Sequence, residues 1–361
     1  MTEALVTSTA PVFEIEDQVK GELARDLLRL EVSETTAGLK TLSARFMAQG
    51  PVSGSEEEGQ LYLDGAILDF GKKLDVSLGP GPDARTIFEG YVSGLEAIFK
   101  EGAEPQVVVF AEDKLMSLRM TRRMKTYKQM TDADIAQAIA NEHSLQAQVD
   151  ADGPTYDVVH QWNMSDLAFL RERARKIQAE IWFGDNALNF KTRDKRTGTE
   201  LTLVQGNELI ELQARADLAH QRTKVKVSGY DAAQRESVDE EAGSDAIQAE
   251  VSGGRTGPSV LEQAFGERVS YRVREAPLTT AEARDWARAE MLRRSRGFVT
   301  AIGMTRGSPD MIVGSKLTFE RAGHPFDGAG YYATSVRHTY DLKSGHRTHF
   351  VAERATIQEG A

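Results

Sequence analysis

The sequence predicts a mainly β chain with an α+β insertion, and three observations carry that prediction. Short segments of alternating apolar and polar residues, separated by turn clusters, fill both ends of the chain. The middle changes to helical spacing with cap signals. A phrase also recurs: FGKKLDV at 70–76 returns as VGSKLTF at 313–319. Beyond it, FEGYVSGL (88–95) and VVVFAE (107–112) are echoed by DGAGYYATSV (327–336) and THFVAE (348–353). Matched landmarks lie 243 residues apart for Gly71 and Gly314, 240 for Tyr91 and Tyr331, and 241 for Phe110 and Val351. Strand-turn-strand segments look alike in many proteins. Three near-equal spacings in one order point instead to internal duplication of one β unit.

Residues 1–10 read as a loose arm. FEIEDQV (13–19) and LLRLEVSE (27–34) alternate as half-buried strands do. GLKTLSARFMAQ (38–49) precedes a polar, Gly-rich break at 50–59, and 61–79 reads as two strands around a turn. GPGPD (79–83) is a turn cluster, and 86–102 with 105–113 reads as a hairpin. So many short strands suggest an antiparallel barrel or sandwich. In MTDADIAQAIANEHSL (130–145), Thr131 and Asp134 have the spacing of a capping box, with Ile135, Ala138 and Ile139 on one face. DVVHQWN (157–163) is strand-like. In the helix predicted over 164–183, Ser165 is the cap, and Leu167, Leu170, Ala174, Ile177 and Ile181 line one side. A hairpin over 180–192 turns at Gly-Asp-Asn. Strands return over 199–232, where TKVKVSGYD alternates cleanly. Residues 234–260 are acidic and poor in apolar residues, and an exposed or mobile excursion is expected there. A helix follows over 279–297, with Thr280 as N-cap and Gly297 as its stop.

The chain has 361 residues, enough for two or three domains, and 40% apolar with 27% charged residues is ordinary for a chain with a sizeable core. A net charge of −11 argues against nonspecific nucleic-acid binding. The absence of cysteine excludes disulfides and thiolate metal sites. MTEALVTSTAPVF lacks the basic and apolar regions of a signal peptide, and no stretch approaches the roughly 20 apolar residues of a membrane helix.

Several of these residues carry a resemblance. IFEGYVSGLEAI resembles the F-x-G-x-V hairpin of the VgrG and phage late control D (tail hub, baseplate hub) family of contractile tails and injection systems. MTDADIAQAIANEHSL resembles that family's helix after the first barrel. In QWNMSDLAFLRERARKIQAEIWF (161–183), Gln161, Trp162, Asn163, Ser165, Asp166, Phe169 and Leu170 fit the family pattern. Met164 departs from its usual Glu, and Ala179-Glu180 replaces its usual Gly. GYYATSVRHTYDLKSGHRTHFVAER resembles the terminal hairpin of late control D proteins. The resemblance covers roughly residues 11–361, most thinly over 234–275.

The resemblance implies two tube-protein-like antiparallel β-barrels plus a small α/β domain and an additional helix. The chain then divides into a flexible arm (1–10), a first β-barrel (11–125), an α/β insertion domain (126–198) and a second β-barrel (199–233 and 298–361). An acidic excursion and helix (234–297) interrupts the second barrel. The resemblance also implies a structural, non-enzymatic trimeric hub between a hexameric tail-tube protein and a trimeric spike, with other baseplate proteins as further partners. Because the sequence ends after the last strand, the spike is expected as a separate polypeptide. Assembly in the bacterial cytoplasm into a phage tail or phage-tail-like particle is expected, with no stable nucleic-acid binding and no membrane insertion. The alternatives are a hub associated with a cell-wall hydrolase and an effector-loading adapter.

No catalytic, cofactor-binding or metal-binding residue is assigned. There is no G-x-S-x-G turn and no phosphate loop, and GGRTG (253–257) reads as a flexible loop. His338, His346 and His349 flank a turn, but His346 and His349 point to opposite strand faces, so hairpin or surface histidines are expected. DEEAGSD (239–245) lacks the order of a calcium loop and reads as a solvated acidic loop. Arg119, Arg122, Arg123, Lys125 and Lys128 form a solvated face or a docking strip for an acidic neighbour. Trp162 and Phe169 are expected in the core of the α/β unit, with Ser165 and Asp166 capping its helix.

Overall fold

The computed structural model describes residues 10–51, 58–79, 84–272, 276–277 and 279–358. Residues 1–9 of the expected arm, 52–57 of the Gly-rich break and 80–83 of the turn cluster lie outside the described residues. The first part runs β1 (Val12–Ile15), β2 (Gln18–Val19), α1 (Gly21–Asp26), β3 (Leu27–Thr35), β4 (Thr41–Met47), β5 (Gln49–Pro51), β6 (Glu58–Gln60), β7 (Lys73–Leu78), β8 (Arg85–Ile98) and β9 (Gln106–Glu112). The middle holds α2 (Met116–Met120), β10 (Arg122–Met130), α3 (Asp132–Glu142), β11 (Gln146–Asp150), β12 (Tyr156–Ser165), α4 (Asp166–Ile177), β13 (Ala179–Gly184) and β14 (Ala187–Thr192). There follow β15 (Glu200–Val204), β16 (Leu209–Ala216), β17 (Lys224–Asp231), β18 (Glu236–Ala242), α5 (Asp245–Gln248), β19 (Arg255–Thr256), α6 (Gly257–Phe265), β20 (Val269–Arg272) and α7 (Thr280–Arg296). The last part is β21 (Val299–Thr305), β22 (Lys316–Glu320), β23 (Gly328–Asp341), β24 (Gly345–Arg354) and β25 (Thr356–Ile357).

Period-two patterning builds the strands. In β7, Leu74, Val76 and Leu78 are buried while Lys73, Asp75 and Ser77 are partly exposed. The expected pair of strands over 61–79 is only β7, because 61–72 is a run of turns and bends. Tyr62, Gly65 and Gly71 have positive φ there, and the Asp64 and Asp69 carboxylates accept from the backbone N–H of Ala66 and Phe70.

The molecule is mainly β, and one 13-stranded sheet dominates it, in the order β16-β21-β24-β23-β3-β4-β9-β8-β7-β1-β2, with β15 and β22 attached to β23. This sheet lines two separate cores. Phe13, Leu30, Phe46, Leu74, Phe88 and Val109 share the first. Leu209, Val299, Phe319, Tyr331 and Phe350 share the second.

A third core joins the middle of the chain to the segment between β16 and β21. Ile135, Phe169, Leu188, Val227, Val238 and Trp286 all belong to it. The alternating strand β17, expected in the second barrel, pairs instead with β18 and β20 in a separate three-stranded sheet. The excursion at 234–260 is mostly exposed, as expected, but it is ordered into elements and contributes to the core. β18 pairs with β17, α5 follows, and Val238, Ala246 and Ile247 are buried. Few apolar residues are enough here because α7 and the middle domain supply the rest of the core.

The helix ends follow local chemistry. Thr131 and Asp134 form the capping box, each side chain accepting from the other's backbone N–H. Ser165 Oγ accepts from Ala168 N at 3.2 Å and starts α4. That helix stops at Ile177, because Gln178 is left-handed (φ 58°), so Ile181 lies in β13 and not on the helix face. The β13–β14 hairpin turns at Asp185 and Asn186, both with positive φ, as a two-residue turn requires. The N-cap of α7 is Thr279, one residue before the expected Thr280, with its Oγ1 accepting from Glu282 N. Gly297 follows the helix with φ −82°, so its left-handed freedom is not used.

Candidate assembly interface

Five strands of the first part recur in the second with the same pairing. The run β3-β4-β9-β8-β7 corresponds to β16-β21-β24-β23-β22. The registers match residue for residue in the β3–β4, β4–β9 and β8–β9 ladders, while the β7–β8 and β22–β23 ladders place their bulges differently. Tyr91 lies opposite Glu112 and Gly94 opposite Phe110; 241 residues later, Tyr332 lies opposite Glu353 and Ser335 opposite Val351. The structural counterpart of Tyr91 is therefore Tyr332, not Tyr331. Both hairpins carry a bulge at the same place, between Val92 and Gly94 and between Ala333 and Ser335. At each bulge a hydroxyl donates across the ladder: Ser93 to the Phe110 carbonyl at 3.3 Å, Thr334 to the Val351 carbonyl at 3.2 Å. A second bulge separates Leu27 from Arg29 and recurs 182 residues later between Leu209 and Glu211.

The repeated phrase now has a cause. Gly71 and Gly314 both take positive φ, 77° and 97°. Their N–H groups donate to Val92 and Ala333 carbonyls, each at 2.9 Å, and so tie the strand entrance to the bulged hairpin.

The two units are joined edge to edge. β23 pairs antiparallel with β3, from Ser335 opposite Thr35 to Asp341 opposite Arg29. Two matching edges have no strand partner among the described residues: the β7-side edge of β8 from Gly94 to Ile98, and the outer edge of β16.

Beside the joint lies a buried ionic network. Arg196 donates to Glu34 of β3 at 2.5 Å and to Glu180 of β13 at 3.2 Å. Glu180 also accepts from Tyr332 Oη at 2.7 Å, and Arg193 bridges to Glu353 at 3.1 Å. One cluster thus ties both β units to the middle domain. Each charge has an opposite partner, which a buried charge needs.

The QWNMSD segment divides between core and surface. Gln161 is buried, accepts from Tyr127 Oη and donates to Asp166. Asp166 is also buried, where it meets Arg123 at 2.9 Å and His143 at 2.7 Å. Phe169 packs in the core, stacked on Tyr127. Trp162 does not: it is 69% exposed, opposite the 77% exposed Met124 on the outer face of the β10–β12 ribbon. The alternation that buries Gln161 turns its neighbour outward.

The basic strip is largely neutralised. Arg119 meets Glu112, Arg123 meets Asp166, and Lys125 meets Glu142. The expected acidic loop at 239–245 lies mostly in β18, where Lys226 reaches Glu241 at 3.3 Å and Arg284 reaches Glu240 at 3.7 Å. GGRTG is likewise not a loop: Arg255–Thr256 pairs with β25, and Thr256 caps α6.

His338, His346 and His349 lie in the β23–β24 hairpin, one of the two placements expected for them; His338 and His346 are buried and His349 is partly buried. His338 Nδ1 lies 3.2 Å from both His346 Nε2 and Thr348 Oγ1, and its Nε2 is 3.1 Å from the Met311 carbonyl. Burial pushes the His338 imidazole down to about 3 and His346 down to about 4, so both are neutral at pH 7. Among the described residues no group of three or more His, Asp or Glu side chains could hold a metal ion. No helix among them is long and apolar enough to cross a membrane.

The fold is shared with solved tail proteins. The 43 kDa tail protein of prophage MuSo2 from Shewanella oneidensis superposes with a TM-score of 0.67 at 13% identity, covering 96% of this chain and 98% of that one. A tail protein from Neisseria meningitidis gives 0.65 at 11% identity, covering 96% of each. An E. coli component of the type VI secretion system gives 0.55 at 13% identity, covering 93% of this chain and 76% of that one. No curated protein sequence matches the chain. The family model described as Alg8 N-terminal domain matches residues 52–341, most of the length, and the chain belongs to that family.

Proposed function

We propose that the chain is a structural hub of a contractile tail or injection particle, working as a trimer between a hexameric tail tube and a trimeric spike. The observation that carries this reading is the pair of register-matched β units fused edge to edge through β3 and β23. Three such chains present six similar units, so a six-fold tube can meet one side of the ring while a three-fold partner meets the other. The fold shared with phage tail proteins and a type VI secretion component supports this role. The buried ionic and histidine clusters have their partners inside the protein and read as architecture, which favours a structural, non-enzymatic role. The same reading has the chain assemble in the cytoplasm with tube, spike and other baseplate proteins. The test is the mass of the purified chain, alone and with its spike protein, by sedimentation and native mass spectrometry. A trimer that appears as a six-lobed ring in micrographs is expected. A stable monomer in the presence of the spike overturns the reading.

A further inference from the structure

We infer that the open edge of β8 receives β16 of a second copy of this chain, antiparallel, in the register of the internal β3–β23 joint. The inference rests on the trimeric reading above and goes further, because it names the facing residues. β23 corresponds to β8 at a spacing of 241 residues, and β3 corresponds to β16 at a spacing of 182. Inside the chain, Arg337, His338, Tyr340 and Asp341 face Ser33, Val32, Leu30 and Arg29. Shifted by those two spacings, Glu96 faces Arg215 of the second copy and Ala97 faces Ala214; continued past the end of β8, Phe99 faces Leu212 and Lys100 faces Glu211.

Nothing in the shift requires those residues to suit each other, yet they do. Two pairs are of opposite charge, and Phe99, 57% exposed, gains an apolar partner in Leu212. Arg215 holds Asp217 along its own strand, and with 74% of its side chain exposed it remains open to a carboxylate across the joint.

The open edges choose the partner strand, and the charges suit that choice. The internal joint places Asp341 opposite Arg29, whereas the joint between copies places Lys100 opposite Glu211, with the signs reversed. With β3 and β23 already paired to each other, β8 of one copy meets β16 of the next, so first and second units alternate around the ring. The contact is head-to-tail and closes only when the rotation per chain completes a circle. It also covers two exposed strand edges that would otherwise invite nonspecific pairing.

The chain has no cysteine, which makes the test direct. A chain carrying Ala97→Cys and Ala214→Cys is oxidised and run on a non-reducing gel, with its mass measured in parallel. Linked dimers and trimers that reduction dissolves are expected. A control chain with Ala97→Cys and Gln213→Cys, slipped by one residue so that the thiols point to opposite faces, is expected to link far less. Separately, Glu96→Arg or Arg215→Glu raises the concentration at which the trimer dissociates about several-fold, and the two together restore it. A trimer that forms without the 97–214 link, or that links equally in the slipped control, overturns this pairing and leaves the hub reading standing. A chain that stays monomeric with its spike overturns both.

Discussion

Gly90 of the first β unit lies under the Phe88 ring, where a Cβ would come within 2.6 Å of that ring. At the matching place in the second unit stands Tyr331, whose ring fills the core 4.2 Å from Phe319. The strands on the other side of the core exchange sizes in a similar way. Ala44 faces Val109 in the first unit, while Gly303 faces Phe350 in the second. In the three ladders from β3 to β8 and their counterparts from β16 to β23, the registers and bulges stay the same through these exchanges. Backbone pairing is the property the two units share, and core volume is redistributed around it. The flanks differ more. β7 pairs antiparallel with β1, but β22 pairs parallel with β15. The short turn between β3 and β4 becomes, between β16 and β21, the whole segment carrying β17–β20 and α5–α7.

The largest expected effect breaks the network that joins the two units. Arg196→Ala leaves Glu34 with only Lys40, at 3.2 Å, and Glu180 with only Arg193, at 3.4 Å, and a loss of about 3 kcal/mol in urea unfolding is expected. A loss below 1 kcal/mol would show the joint to be held by strand pairing alone.

Acid separates the units next, because His338 has Ala97 as its first-unit counterpart. Burial and the facing His346 depress its pKa to about 3, while the unfolded chain titrates near 6.5. Below pH 6.5 the unfolded state therefore gains protons that the folded state refuses, and stability falls progressively until about pH 3. Between pH 7 and pH 5 a loss on the order of 2 kcal/mol is expected, and His338→Gln flattens that slope. An unchanged slope in the variant would place the acid sensitivity elsewhere.

Gly303→Ala follows, since a Cβ there meets the Phe350 ring, 2.7 Å from Cε1. A cost of about 1–3 kcal/mol is expected, and adding Phe350→Val, which recreates the Ala44–Val109 pair, should recover part of it. Strictly additive effects in the double variant would argue against equivalent cores. The smallest effect lies outside both units: Trp162→Ser should shift unfolding by less than about 0.5 kcal/mol, against about 3–5 for Phe169→Ala.

Much of the fold was legible in the residues. The capping box at Thr131, the Ser165 cap, the Asp185-Asn186 turn and the mainly β character follow from local chemistry that needs only neighbouring residues. The repeated Gly-x-Lys-Leu phrase pointed to the duplication, because a left-handed Gly at a strand entrance has few substitutes. The Tyr91 match was one residue out, since an exact register needs the bulge, and a bulge leaves no mark in residue type.

The sequence by itself thus determined strand and helix types, caps, turns and the existence of two related units, all of which rest on local periodicity and backbone conformation. Only the tertiary structure decided that β17 leaves the second unit, that the acidic segment folds onto the middle domain, that Trp162 faces outward and that His338 is buried. These depend on which distant surface supplies the other half of each contact. Alternation says that a strand has two faces, and only its packed neighbours say which of them is inside.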